Sequence, residues 1–595
     1  MIRFLFGFAV LAAALAGFVF LLPTPDAADR PVAGGASSTL AITNVTVFDG
    51  TAFDEDQTIV IDGARIAAAG PGIAPPQGAT VLDGTGLVAL PGLIDAHTHS
   101  WGEALTAALD FGVTAQLDMF GAASELPATR AAREDLSVTD RADLFSAGML
   151  ATVEGGHGTQ FGVPVDTLAG PDEAERWVEA RIEEGSDYIK LVYMPRSPWF
   201  ESLDLDIATA LIEAAHARGL LAVAHIDTLE GAREMVAAGI DGLVHIFADA
   251  PADAAFLEAA READVFVIPT LAVIASIAAE DGARALAADP RVADRLSASA
   301  RRSLEGGFGM PPSPRYQYPL AAANVRALHE AGVTILAGSD APNPGTAYGV
   351  SLHHELQLLT AAGLSPAEAL RAATEGPARA FGLENRGVIA PGARADLVLL
   401  EANPREGVNA TLSIANIVRN GVLAGETAQP GAGGAGVGLD TNDIAVFDAA
   451  TNGFAWTATT DAMAGGSSTA ALSAEGGVLR TEIAVRPGFA FPWAGPGYFP
   501  ASQSASALDL SGRTLVLRLR AAPGEYRVMV FNPELAGVPP MVSITLDEDW
   551  TTVRLELDDI GGFESSAFAG FAVVGGPALG EGWIEIGEAR FETAP

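Results

Sequence analysis

Apolar and polar positions follow three different rhythms along this chain, and each rhythm predicts a different kind of element. From residue 40 to 88, short alternating runs such as 40–48 and 58–66 are punctuated by turn residues. The Asp62-Gly63 pair between apolar stretches predicts a β-hairpin. Comparable β segments return at 394–400 and 414–423, so residues 39–90 and 385–428 together predict one small composite β-sandwich. Between them the rhythm changes. Buried-strand runs at 87–99, 113–119, 144–152, 188–193, 220–226, 242–247, 265–271 and 333–338 are separated by helical stripes. Ala174, Trp177, Val178 and Ile182 form one stripe, and Ile207, Leu211, Ala214 and Ala215 form another. Eight strand–helix units predict an α/β fold of the (β/α)8 TIM-barrel type over residues 91–384. The insertion 272–318, rich in Pro and charge, is expected to be a lid or helical excursion after strand seven. Residues 429–440 are Gly-rich and read as a linker. Beyond them, over 441–595, runs such as 514–520, 526–531 and 551–557 predict an all-β jelly-roll module.

Composition narrows the setting. At 595 residues the chain is too long for one core. Its net charge of −40, spread along the sequence, argues against nucleic-acid binding and for an acidic, self-repelling surface. There is no cysteine, hence no disulfide and no thiolate ligand. Residues 4–22 are uncharged and apolar, and a Pro- and Gly-rich stretch leads from them to residue 38. That length lies between a secretory signal and a spanning helix, so a cleaved signal and a membrane tether through 4–22 are both open. Either predicts an exported protein, periplasmic or extracellular, with anchoring in the inner membrane as the second form.

The candidate chemistry stands at strand ends, where barrel sites are built. Strand one ends in His97 and His99, two apart, so a strand period of two sends both imidazoles to one side. Strand four carries Lys190, strand five ends in His225, strand six in His245 and strand eight in Asp340. Five of these six are ordinary nitrogen or oxygen ligands. The sixth, a lysine inside an apolar strand, is costly to bury as a cation.

These residues lie in Pro-Gly-Leu-Ile-Asp-Ala-His-Thr-His, Tyr-Ile-Lys, Ala-His, Ala-Gly-Ile-Asp-Gly-Leu-Val-His and Ala-Gly-Ser-Asp-Ala-Pro, and Pro-Gly-Ala-Arg-Ala-Asp-Leu-Val-Leu-Leu follows at 391–400. In that order the sequence resembles the amidohydrolase superfamily, within it the imidazolonepropionase-like and prolidase-like binuclear branch, over residues 40–425. The resemblance implies two divalent metal ions, one on His97, His99 and Asp340, the other on His225 and His245. Lys190, carboxylated by carbon dioxide, would bridge them. It further implies a hydroxide shared by the metals as nucleophile and Asp340 as proton shuttle. Zinc suits this ligand set, as do manganese, iron and cobalt.

The implied activity is hydrolysis of amide bonds in small molecules such as N-acyl amino acids or Xaa-Pro-type dipeptides. Cyclic amides, lactones and phosphotriesters are the alternative, and a binding protein working through its jelly roll is the rival class. His157, flanked by glycines after strand three, resembles the family's contact to the substrate carbonyl. Tyr193, at the end of strand four, is a second candidate for substrate contact. His216 and His329 read as surface groups, and His353 and His354 open the last barrel helix. In the C-terminal module, Trp456 and the Met463-Ala464-Gly-Gly-Ser stretch resemble the complex I intermediate-associated protein family, a galactose-binding-like fold. That likeness implies a carbohydrate or protein ligand. Oligomerisation is open.

Overall fold

The computed structural model describes residues 39–161, 165–308, 313, 315–423, 442–447, 454–460, 468–486, 492–500, 508–532, 540–561, 563, 565–576 and 579–593. The apolar N-terminal segment, the expected linker 429–440 and the Met463-Ala464 pair lie outside them. The chain divides into two compact units, one built from Pro31–Gly158 and Val165–Pro430, the other around Gly431–Pro595.

In the first unit, Leu93–Thr98, Val113–Asp118 and Asp143–Ser146 pair in parallel, and so do Ile189–Val192, Ala222–His225, Gly242–Val244, Phe266–Ile268 and Thr334–Ile335. Backbone hydrogen bonds join these two sets on both sides. Ala151 N donates to Lys190 O at 2.8 Å and Val192 N to Ala151 O at 3.0 Å, while Ala96 N donates to Ala337 O at 2.9 Å and His99 N to Ala341 O at 2.8 Å. Eight parallel strands therefore close on themselves.

Their side chains alternate between two cores, as the pleat requires. Ile189, Leu191, Ala222, Ala224, Leu243 and Val267 pack outward with helix residues such as Trp177, Leu211 and Leu356. Val223, Val244, Phe266, Ile268 and Leu336 pack with one another inside. Lys190, between Ile189 and Leu191, and His225, two beyond Val223, share the inward parity.

Two expectations change. The run 87–99 is not one strand: Val88–Pro91 belongs to the flanking sheet and Leu93–Thr98 to the barrel. Pro91 has no N–H to continue a ladder. Gly92 passes so close to Thr114 that a Cβ would sit 2.2 Å from its Oγ1, and Gly92 N donates instead to Asp396 O. In the helix Ala174–Glu184, Ile182 faces solvent at 40% exposure, and Arg181 takes the buried position. Its guanidinium lies over the Trp177 ring at 4.5 Å and grips Glu184 with two bonds of 2.6 and 2.7 Å. The composite β region is a hydrogen-bonded sheet of eight strands drawn from both flanks of the barrel, and residues of both flanks share one core. The strand Leu40–Phe48 is long enough to pair Thr80–Asp83 along its first half and Val88–Pro91 along its second, so the sheet forks there. Leu397–Leu400 joins it by pairing antiparallel with Val88–Pro91. The insertion is a helical excursion, with helices at Leu271–Ile277, Gly282–Ala287, Pro290–Ala293 and Ala298–Glu305.

A buried ionic cluster ties the flanking sheet to the barrel. Asp143, which opens the third barrel strand, lies within 3.0 Å of the guanidinium groups of Arg386, Arg394 and Arg419, and Arg419 also donates to Asp396 at 2.8 Å. Among its described residues the second unit holds two five-stranded antiparallel sheets sharing one core, with Phe454, Trp456, Tyr498, Leu517, Phe571, Ile586 and Phe591 inside it. Among the described residues no helix is long and apolar enough to cross a membrane.

Candidate metal centre

The inward parity of the strands and their shared direction bring the six polar strand-end residues together. Nε2 of His97 and Nε2 of His99 each lie 3.2 Å from Asp340 Oδ1. Nδ1 of His245 lies 3.9 Å from the other oxygen of Asp340. Ring centroids are 5.4 Å apart from His99 to His97, 4.9 Å from His97 to His245, 4.4 Å from His245 to His225, and 5.0 Å from His225 to His157. A row of imidazoles thus crosses the barrel mouth. His97, His245 and Asp340 offer ligand atoms within 4.8 Å of one another.

Electrostatics prepares these groups to bind a cation. Burial lowers His97 and His157 to about 4, and holds His225 and His245 well below their ordinary value. The Lys190 ammonium opposes protonation of all four. At neutral pH they are neutral imidazoles with lone pairs to offer. Burial also pushes the Asp340 carboxyl up, but His97, His99 and His245 outweigh it and hold the group well below the usual carboxylate range. Burial pulls Lys190 from 10.5 down to about 7, against the opposing pull of Asp340.

The polar atoms here are unsatisfied. Both ring nitrogens of His97, Nζ of Lys190 and Oδ1 of Asp340 are buried without an aligned hydrogen bond. Buried polar groups are nearly always paired, so such a concentration of orphans marks a place built for another species. A divalent cation on nitrogen and carboxylate donors fits one ring nitrogen of His97 and Oδ1 of Asp340. The backbone is strained where these residues sit. Asp340 has φ 54°, His245 φ 68° and its neighbour Thr270 φ 50°, in the left-handed region that residues with a Cβ rarely adopt.

A family model described as the amidohydrolase family matches residues 88–428. An imidazolonepropionase of Cereibacter sphaeroides is 30% identical over 382 residues, 60% of this chain and 91% of the relative. That of Mycolicibacterium smegmatis is 27% identical over 421 residues, 63% of this chain and 92% of the relative. Among solved structures, a Xaa-Pro dipeptidase with methionine bound in its active site aligns with a TM-score of 0.52 at 21% identity, over 65% of this chain and 99% of that one. The ochratoxinase of A. niger aligns with a TM-score of 0.51 at 19% identity, over 65% and 96%. The chain belongs to the amidohydrolase family.

As an amidohydrolase it is a hydrolase of carbon–nitrogen bonds acting on a small molecule, on the barrel fold its structural neighbours share. Not every residue singled out in the sequence faces the cluster. His157 does, its ring 5.0 Å from His225 and 5.2 Å from Phe200. Tyr193 is turned elsewhere: its hydroxyl donates to Glu234 Oε2 at 2.7 Å. His216 pairs with Asp241 at 2.8 Å on the surface, and His329 lies 3.5 Å from Glu368. His353 is buried between Thr411 Oγ1 and Phe111 O, each 2.9 Å away, which is a structural position. His354 is buried as well, packed against Gly282.

A residue that the sequence did not single out braces the candidate ligands. Asp95 accepts from Ser339 Oγ at 2.6 Å, from Ser339 N at 2.9 Å and from His97 N at 3.2 Å, so it locks strand one to strand eight beside two candidate ligands. Burial pushes Asp95 up to about 7. An acid two positions before His97 in an apolar strand was its available signal.

Proposed function

We propose that this amidohydrolase holds two divalent metal ions, zinc first among the candidates, and cleaves the amide bond of N-acyl amino acids or Xaa-Pro-type dipeptides. His97, His99 and Asp340 would hold one ion, and His225 and His245 the other. Lys190 would serve both as a carbamate. The observation that carries this reading is the set of orphaned polar atoms on His97, Lys190 and Asp340. Lys190 is suited to the modification because burial leaves a large share of its amine neutral at pH 7. That neutral amine attacks carbon dioxide, a C–N bond forms, one proton leaves, and an anionic two-oxygen ligand replaces the buried amine.

Bound metal polarises a carbonyl and brings the pKa of water towards neutrality. The chain's own residues supply the rest. Asp340, ionised and facing three imidazoles, accepts the proton of the attacking water and returns it to the leaving nitrogen. His157, neutral and beside His225, orients the substrate carbonyl through its ring N–H. Asp95 and Ser339 hold the first and last strands in register around Asp340.

The curated relatives favour a second substrate reading, a cyclic amide, since the chain spans 91% of an imidazolonepropionase. Metal-loaded protein assayed against N-acyl amino acids, Xaa-Pro dipeptides and cyclic amides tests both. Turnover of the linear amides supports the first reading and turnover of cyclic amides alone replaces it. Protein that takes up no metal from zinc-containing buffer refutes the centre itself. In Lys190→Ala, zinc content and activity should fall together, and formate or acetate should partly restore both. We also propose export, on the strength of the apolar stretch 4–22. The protein should appear in the periplasmic or membrane fraction of its host, and recovery from the cytosol with residues 1–22 intact would refute that.

A further inference from the structure

We infer that Glu355 is a positioning residue for the metal centre, acting through Thr270 on the His245 imidazole. This rests on the metal-centre reading above.

Thr270 is the N-cap of the helix Leu271–Ile277, yet its side chain makes no capping bond. A threonine at that position ordinarily turns its hydroxyl to the backbone N–H groups of the first turn. Here Oγ1 lies 2.7 Å from Nδ1 of His245. Diverting the hydroxyl leaves the first N–H groups of a buried helix without their usual acceptor, which is costly unless something replaces it. Glu355 replaces it. From the helix Val350–Ala362, more than eighty positions away, its Oε1 accepts from Leu271 N at 3.0 Å and its Oε2 from Ala272 N at 2.7 Å. Glu355, Thr270 and the turn they share are fully buried.

Three observations converge. Thr270 sits at φ 50°, a conformation a β-branched residue adopts only when its surroundings impose it. The two-point grip of Glu355 on the next two amides is such an imposition. The hydroxyl so placed pairs with His245, which is itself left-handed at φ 68°. A partner on one ring nitrogen fixes the rotation of a ligating imidazole, and losing such a partner typically weakens metal binding about 10–100-fold. Both carboxylate oxygens of Glu355 are bonded to the turn rather than to a candidate ligand. Its effect reaches the site through the turn.

The test is zinc affinity of the full chain, measured by competition with a chelator on metal-free protein, for wild type, Glu355→Gln, Thr270→Val and the double variant. Glu355→Gln keeps shape but offers one acceptor in place of two. We expect each single variant to weaken zinc binding about 10–100-fold and the double variant to be no weaker than Thr270→Val within about threefold. A Glu355→Gln affinity within about threefold of wild type overturns the inference, as do losses that multiply in the double variant, since independent effects mean no path through Thr270. If Glu355→Gln does not yield folded protein, Thr270→Ser and Thr270→Val decide. Wild-type-like binding by the Ser variant with loss in the Val variant supports the path, and unchanged binding in Thr270→Val refutes it. Wild-type protein that binds no zinc refutes the metal-centre reading, a result distinct from any of these.

Discussion

Replacing Lys190 with methionine should make the metal-free protein more stable while sharply cutting its capacity to hold metal. Lys190 is 2% exposed and its Nζ has no hydrogen-bond partner, so in the absence of metal and carbon dioxide the fold carries an unpaired buried amine. Burial lowers its pKa from 10.5 to about 7, which corresponds to roughly 3–5 kcal/mol against folding while the amine is protonated. The sign follows from linkage. Below pH 7 both folded and unfolded chains carry the proton and the fold bears the full burial cost. Between pH 7 and 10.5 the folded amine loses its proton while the unfolded one keeps it, so wild-type stability rises and the cost fades by about 1.4 kcal/mol per pH unit. Methionine has nearly the same length and no charge, so it removes this cost without opening a cavity. Urea unfolding of metal-free, carbon dioxide-depleted protein, followed by circular dichroism from pH 6 to 9, reads the difference. Lys190→Met should exceed wild type by about 3–5 kcal/mol at pH 6, and the gap should shrink by about 2–3 kcal/mol at pH 9. The same variant should bind far less zinc. A variant less stable than wild type at pH 6, or a gap independent of pH, would refute the claim that Lys190 is an unpaired amine held for a ligand.

Asp340→Asn should lower kcat by at least about 10² while retaining more zinc than His97→Ala, because the amide still offers an oxygen to a cation but accepts no proton; kcat and bound metal measured on one preparation check it. Asp143→Asn should destabilise the barrel by about 3 kcal/mol or more in urea unfolding, since it leaves the guanidiniums of Arg386, Arg394 and Arg419 around a neutral amide. Limited proteolysis should nick within 429–440 and release two folded fragments, as expected of two compact units; cleavage confined to other sites would argue against separable domains.

What the sequence determined alone was chemistry carried on local pattern. His97 and His99 share one side because a strand repeats every two residues, and both rings do lie on Asp340. Lys190 and His225 were legible for the same reason: a polar residue at inward parity in an apolar run has nowhere to go but the barrel interior. Eight such runs sufficed for the fold, since strand–helix alternation leaves few ways to bury both faces of a parallel sheet.

Tertiary structure decided whatever depended on partners distant in sequence. No periodicity could show that Arg181 would displace Ile182 from the core, because that turns on a stacked Trp177 and a two-point bond to Glu184. Nor could it show that Tyr193 would turn to Glu234, or that the run from 87 to 99 would divide at Pro91 and Gly92 between two sheets. Glu355 lay hidden in a helix whose other positions are mostly apolar, and its meaning appeared only when the fold set it on the amides of Leu271 and Ala272. Hydrophobic pattern reports which side of an element is buried. Which buried polar group meets which other is settled by packing, where an unpaired charge costs more than any local preference can offset.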